Sequence, residues 1–137
     1  MTAPRTELAA RLATYDRLVE VGIGRRPEVA AALADAGADV TATDVFDAPV
    51  PEGVDFVRDD VVARCERIDG GDHPGDPYRA DAVYGLNLPA ELQRPARDVA
   101  RAANADFLFT TLGFEEPVIP VERESVGSAT LYVVRQR

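Results

Sequence analysis

The sequence predicts a single α/β domain. Its architecture is a Rossmann-like three-layer sandwich with a mostly parallel sheet in the order 3-2-1-4-5, extended by one or two C-terminal strands. Three observations predict it. Segments of β-branched and aromatic residues alternate with segments of helical periodicity. A strand, a glycine turn, a helix and a second strand fall within residues 17–44, the length of one parallel crossover unit. The 137 residues are 46% hydrophobic and 28% charged, enough for one core and too few for two catalytic domains.

The elements follow in order. Residues 4–15 read as a helix, with Leu8, Leu12 and Tyr15 on one face and Pro4 in the first turn. Arg17 to Val21 is a strand that ends at Gly22-Ile23-Gly24. Pro27 then opens a helix from Glu28 to Ala36, burying Val29, Leu33 and Ala36 and stopping at Gly37. Asp39 to Thr43 is the second strand, closed by Asp44. Residues 47–53 are rich in turn formers. Val54 to Val57 is the third strand, ending at Asp59-Asp60, and residues 61–68 supply one or two helical turns.

Residues 69–77 form an acidic loop of glycine, proline and aspartate around His73, a candidate lid. Asp81 to Tyr84 is the fourth strand. The next helix runs to Ala103 with Leu92, Ala96, Val99 and Ala103 inward; Pro95 is expected to interrupt it and Asn104 to end it. Ala105 to Thr110 is the fifth strand. Pro117 to Glu122 is expected as a short edge strand, and Ser128 to Arg135, near residues 128–135, as the last one. One domain over residues 1–137 accounts for the whole pattern.

Charge narrows the function. Fifteen basic and 24 acidic residues give a net charge of -9, and every cationic side chain apart from His73 is an arginine. Such a surface repels nucleic-acid phosphates and disfavours a nucleic-acid partner. Abundant acid without lysine resembles the composition of salt-loving archaea, where carboxylates keep a protein hydrated and salt screens their repulsion. The single cysteine, Cys65, excludes an internal disulfide and a cysteine-rich zinc module. Cys65 and His73 reach only two metal ligands, so no metal site is expected. No apolar run spans a membrane and no secretory leader is read, so the expected location is cytoplasmic. Arg94, Arg97 and Arg101 read as a solvated helix face. Nucleophile-elbow, HExxH and Walker A motifs are absent, which disfavours hydrolysis and ATP use.

The sharpest constellation is Glu20-Val21-Gly22-Ile23-Gly24 followed by Asp44, twenty residues beyond Gly24. Gly22 permits a tight turn off the strand, and Gly24 lets a ligand approach the backbone. Asp44 stands where a carboxylate accepts the hydroxyls of an adenosine ribose. The third glycine of a dinucleotide fingerprint is replaced by Pro27. NAD would place its pyrophosphate on the helix N-terminus beside Arg25 or Arg26. S-adenosylmethionine would take Glu20, directly or through water, for its amino group, backbone N–H groups for its carboxylate, Asp44 for its ribose, and Asp59 or Asp60 for its adenine edge. Acids at the ends of three strands suit a cationic sulfonium better than an anionic dinucleotide. Bare turn architecture, in a scaffold or partner subunit with or without homodimerisation, is the third reading.

These residues resemble the class I S-adenosylmethionine-dependent methyltransferase core: an acid before GxG at Glu20 to Gly24, an acid after strand two at Asp44, and one after strand three at Asp60. The whole chain also resembles a small archaeal family of Rossmann-like proteins that share the phrase VEVGIG, the arginine after it and a proline-ended fourth-strand segment. That segment, Asp81 to Pro89, is similar to the fourth motif of amino-group methyltransferases. The resemblance implies that Asn87 orients an acceptor amine. Leu88 and Ala90 depart from the motif, and the alternative is that Asn87 and Pro89 only shape a turn. Glu115, after strand five, is a candidate general base. The acceptor itself is not readable.

Overall fold

The computed structural model describes residues 4–68 and 73–136. Its elements are α1 (Pro4–Leu12), β1 (Arg17–Val21), α2 (Glu28–Asp35), β2 (Asp39–Asp44), β3 (Val54–Arg58), α3 (Val61–Glu66), β4 (Ala82–Gly85), α4 (Ala90–Ala102), β5 (Asp106–Phe109), β6 (Glu122–Val126) and β7 (Ala129–Val134). The seven strands form one sheet in the order β3-β2-β1-β4-β5-β7-β6. The first five are parallel, and β7 pairs antiparallel with both β5 and β6. The expected fold and strand order are therefore observed, with two tail strands.

Alternation along each strand builds two cores. On one face, Leu8, Leu12, Val29 and Leu33 of α1 and α2 pack over Leu18, Val40, Ala42 and Leu108. On the other, Val61, Ala96, Val99 and Ala100 of α3 and α4 cover Val19, Val83, Phe107 and Phe109. Phe107 and Phe109 stack with ring centroids 5.0 Å apart, and Phe109 meets Tyr132 of β7 at 5.3 Å. This aromatic row joins the antiparallel hairpin to the parallel sheet.

The helices α2 and α4 stop where the sequence places the stop. Gly37 (φ +95°) and Asn104 (φ +58°) take the left-handed conformation after the last turn. In each, the next N–H reaches back to a carbonyl near the helix end: Ala38 to Leu33 and Ala105 to Ala100.

Several local expectations are corrected. α1 ends at Leu12, three residues early, and Ala36 lies exposed beyond the end of α2. Pro95 does not break α4. It removes the donor that would meet the Glu91 carbonyl, but Glu91 is exposed in the first turn, where water can serve. The buried face of α4 is Gln93, Ala96, Val99 and Ala100, with Leu92 and Ala103 only half-buried. The edge strand begins at Glu122, where residues 117–122 were expected, because Pro117 and Pro120 cannot donate to a ladder. Residues 69–72 of the expected lid loop lie outside the described residues.

No helix among the described residues is long and apolar enough to cross a membrane. The β2–β3 connection and residues 110–121 after β5 contain no helix. Leu112, Phe114 and Val118 stand exposed in the second of these.

Leu33 is wholly buried at the centre of the α1–α2 core. Leu33→Ala is expected to cost about 3 kcal/mol. Denaturant unfolding in molar KCl checks this: the midpoint falls while the slope is retained.

Candidate functional site

The strand order reverses at β1, which has β2 on one side and β4 on the other. Ligands of open α/β sheets settle at that reversal, outside the carboxyl ends of the strands. The Gly22–Gly24 turn lies there. Gly22 (φ +74°) and Gly24 (φ +54°) adopt conformations that L-residues resist, and a Cβ built on either meets nothing within 4 Å, so the space over the turn is open.

The turn is fastened to the end of β2. The N–H groups of Gly22 and Ile23 both donate to the Thr43 carbonyl, at 2.9 and 3.1 Å. The Gly24 N–H donates to Asp44 Oδ2 at 2.8 Å. Asp44 Oδ1 accepts the Phe46 N–H at 3.2 Å. The glycine–acid spacing in the sequence is thus a direct contact. The N–H groups of Gly22, Ile23 and Gly24 are all donated within this attachment. The Arg25 N–H is the uncommitted donor in this stretch among the described residues. A carboxylate offers about four acceptor positions, so Asp44 keeps two for a ligand while holding the loop.

The other acids differ in availability. Glu20 is 1% exposed and lies on β1, two residues before Gly22. Register pairs it with Tyr84 on β4, whose hydroxyl donates to Glu20 Oε1 at 2.7 Å. Burial pushes the Glu20 carboxyl from 4.5 up to about 7; the Tyr84 hydrogen bond opposes the rise, and the charges of Glu28 and Asp44 add to it. Burial, then Glu20, holds the Tyr84 hydroxyl well above its ordinary range. Glu20 is therefore a buried hydrogen-bond partner of Tyr84.

Asp59 is also committed. It pairs with Arg64 at 2.7 Å and accepts the Tyr78 hydroxyl at 2.7 Å, with 8% of its side chain exposed. Burial, then Asp59, drives the Tyr78 hydroxyl strongly upward. Asp60 caps α3 by accepting the N–H groups of Val62 and Ala63 on Oδ1. Its Oδ2 faces no partner among the described residues. Beside Asp44, Val45 and Phe46 are exposed, Phe46 by 73%.

On the α1–α2 side, a cavity of about 750 Å³ opens at the ends of β4, β5 and β7. Asn87, in the left-handed region at φ +50°, lines it with Leu86, Thr110, Arg5 and Arg26. The Asn87 N–H is held by Thr110 Oγ1 at 2.8 Å, and its carboxamide has no partner among the described residues. Glu115 is exposed and does not line the cavity, so the structure does not bring the two expected catalytic residues together. His73 Nδ1 accepts the Gly75 N–H, and the described residues hold no cluster of three metal-ligating side chains. Arg97 pairs with Asp98. The sequence reading missed Tyr84, Tyr78, Arg64 and Arg5. Arg5 meets the cavity across more than a hundred residues of chain, and no local pattern signals that. Tyr84 was findable, since aligning the first and fourth strands sets it beside Glu20.

Residues 2–137 match the uncharacterised protein family UPF0146. A UPF0146 protein of Halobacterium salinarum is 52% identical over 141 residues, covering 98% of each chain. A UPF0146 protein of Archaeoglobus fulgidus is 40% identical over 96 residues, 70% of this chain and 68% of that one. Among solved structures, an O-methyltransferase family protein from Burkholderia thailandensis has a TM-score of 0.60 at 14% identity, over 97% of this chain and 55% of that one. An RNA methyltransferase from Salinibacter ruber in complex with S-adenosyl-L-homocysteine has a TM-score of 0.59 at 16% identity, over 97% and 90%. The CcbJ methyltransferase from Streptomyces caelestis has a TM-score of 0.56 at 17% identity, over 90% and 55%. The chain spans little more than half the length of the first and third of these. At such identities the likeness is one of fold.

The Glu20 shift makes a prediction. With a folded-state value near 7 against 4.5, the folded protein binds more protons than the unfolded chain between these values. Stability therefore falls as pH rises through that window. Gln at this position does not titrate. Relative to wild type, Glu20→Gln is expected to gain roughly 3 kcal/mol between the acid and alkaline sides of the window. Denaturant unfolding at a series of pH values measures the gap, and a gap that stays constant contradicts the buried carboxyl.

Proposed function

We propose a function for this chain, which belongs to the uncharacterised protein family UPF0146: it binds S-adenosylmethionine at the Gly22–Gly24 turn and is built to present it to an acceptor in the neighbouring cavity. The observation that carries the reading is the fastened turn, with open space above it and Asp44 retaining free acceptor positions. The methyltransferase-like fold supports it.

The residues present fit that cofactor. Asp44 would receive the ribose hydroxyls. Exposed Val45 and Phe46 offer an apolar surface for adenine, and the free oxygen of Asp60 an acceptor for its amino edge. Arg25, through its N–H and guanidinium, would hold the carboxylate. S-adenosylmethionine, when bound, supplies an electrophilic methyl group on sulfur. The chain's own contribution is to orient the acceptor. Asn87 lines the cavity with its carboxamide free and its backbone pinned by Thr110, so its oxygen can accept a hydrogen bond from an acceptor N–H or O–H.

A dinucleotide fits less well. The six-stranded parallel dinucleotide sheet runs 3-2-1-4-5-6, whereas here antiparallel β7 sits beside β5. The three loop N–H groups that would cradle a pyrophosphate are already donated internally. Asp44 and Asp60 would also face its charges.

Asp44 supplies the test. Asp44→Ala is expected to weaken S-adenosylhomocysteine binding by about tenfold or more, close to 1.4 kcal/mol. Asp44→Asn retains an oxygen for the Gly24 N–H and is expected to lose less. Thermal-shift titration in molar KCl, with circular dichroism to show that the variants fold, reads both. Affinity unchanged in Asp44→Ala contradicts the ribose assignment.

A further inference from the structure

The cavity carries a chemical preference of its own. Its volume of about 750 Å³ is that of a small-molecule site. Leu8, Val29 and Leu86 give it apolar wall, and Asn87 and Thr110 give it polar positions. Two of its lining residues are arginines. Arg5 pairs with Glu28 at 2.8 Å, while Arg26 has no ion-pair partner among the described residues. The local balance of Arg5, Arg26 and Glu28 is positive, in a chain whose net charge is -9.

We propose that this cavity holds a small molecule with an apolar body and an anionic group, phosphate or carboxylate, gripped by Arg26 and Arg5. This rests on the cofactor reading above and names the acceptor class for it. A long polyanion is disfavoured by the acidic exterior, whereas one small anion needs only the local arginines. In molar salt the Debye length shrinks to about 3 Å. Direct hydrogen bonds from a guanidinium to an oxyanion survive that screening where long-range steering does not. Glu28 competes for Arg5, so its carboxylate opposes the ligand. Gly22, Gly24 and Asp44 do not line the cavity, so the anion site is separate from the cofactor turn.

The test uses a matched pair of fluorescent probes. 8-Anilinonaphthalene-1-sulfonate has an apolar body and one anionic group, and N-phenyl-1-naphthylamine is its uncharged counterpart. Binding of each to the full chain is titrated in molar KCl, with and without saturating S-adenosylhomocysteine. The expected result is that Arg26→Ala weakens the sulfonate about fivefold or more and Glu28→Gln tightens it, with the neutral probe unmoved by either. S-adenosylhomocysteine should not displace the sulfonate. Opposite signs in the two variants cannot come from misfolding. Sulfonate affinity indifferent to both substitutions, or equal responses from both probes, overturns the anion site. Displacement by S-adenosylhomocysteine overturns its separateness. Calorimetry with S-adenosylhomocysteine alone reads the cofactor assignment independently; its silence would remove the acceptor role, whatever the probes show.

Discussion

The carboxyl edge of the sheet depends on the attachment of the Gly22–Gly24 turn to the end of β2. Two N–H groups share the Thr43 carbonyl and a third takes Asp44. The attachment can form because β1 and β2 are parallel and in register, Val21 opposite Thr43. It fixes where α2 begins, and hence where Arg26 and Glu28 enter the cavity wall. It also explains why only glycine suits positions 22 and 24: the backbone turns through positive φ, and the space above is left open. Asp44 therefore has two roles. It closes the loop with one lone pair and keeps others for a ligand.

Below that turn the sheet carries an unusual interior pair. Glu20 and Tyr84 meet across β1 and β4 with almost no solvent. A buried carboxyl that ionises near 7 costs stability in alkaline conditions. Tyrosine offsets part of that cost by donating to it. The pair links β1 to β4 two residues before the glycine turn. Elsewhere arginines neutralise specific acids, as in Arg64 with Asp59 and Arg11 with Glu124. Arg26, like Arg25, Arg58, Arg67, Arg94 and Arg101, has no such partner among the described residues, and of these six it alone lines the cavity.

Much of the fold was legible because it rests on local chemistry. Gly37 and Asn104 end helices by tolerating positive φ, and the sequence shows both. The strand order follows from the crossover pattern and the handedness of parallel connections. The spacing of Gly24 and Asp44 sets the acid at the end of the second strand, and in the fold the two are hydrogen-bonded. What was not legible depends on register and long-range closure. Glu20 reads as an acid at the end of the first strand, and nothing local shows Tyr84 beside it. Asp59 and Asp60 looked interchangeable, yet one is consumed by Arg64 and Tyr78 and the other caps α3 with an oxygen to spare. Pro95 read as a break because its lost donor weighs more in a helix interior than beside an exposed first turn. The cavity joins Arg5, Asn87 and Thr130, which only the folded sheet brings together.

The most direct measurement of the central claim is an amide-resolved NMR titration of the isotope-labelled protein with S-adenosylhomocysteine in molar KCl. The account predicts saturable shifts concentrated at Gly22 to Arg25, Asp44 to Phe46, and Asp60 to Val62, the three segments that meet at the end of β1, β2 and β3. A folded protein whose amides do not respond there, or respond only at distant surfaces, would contradict it.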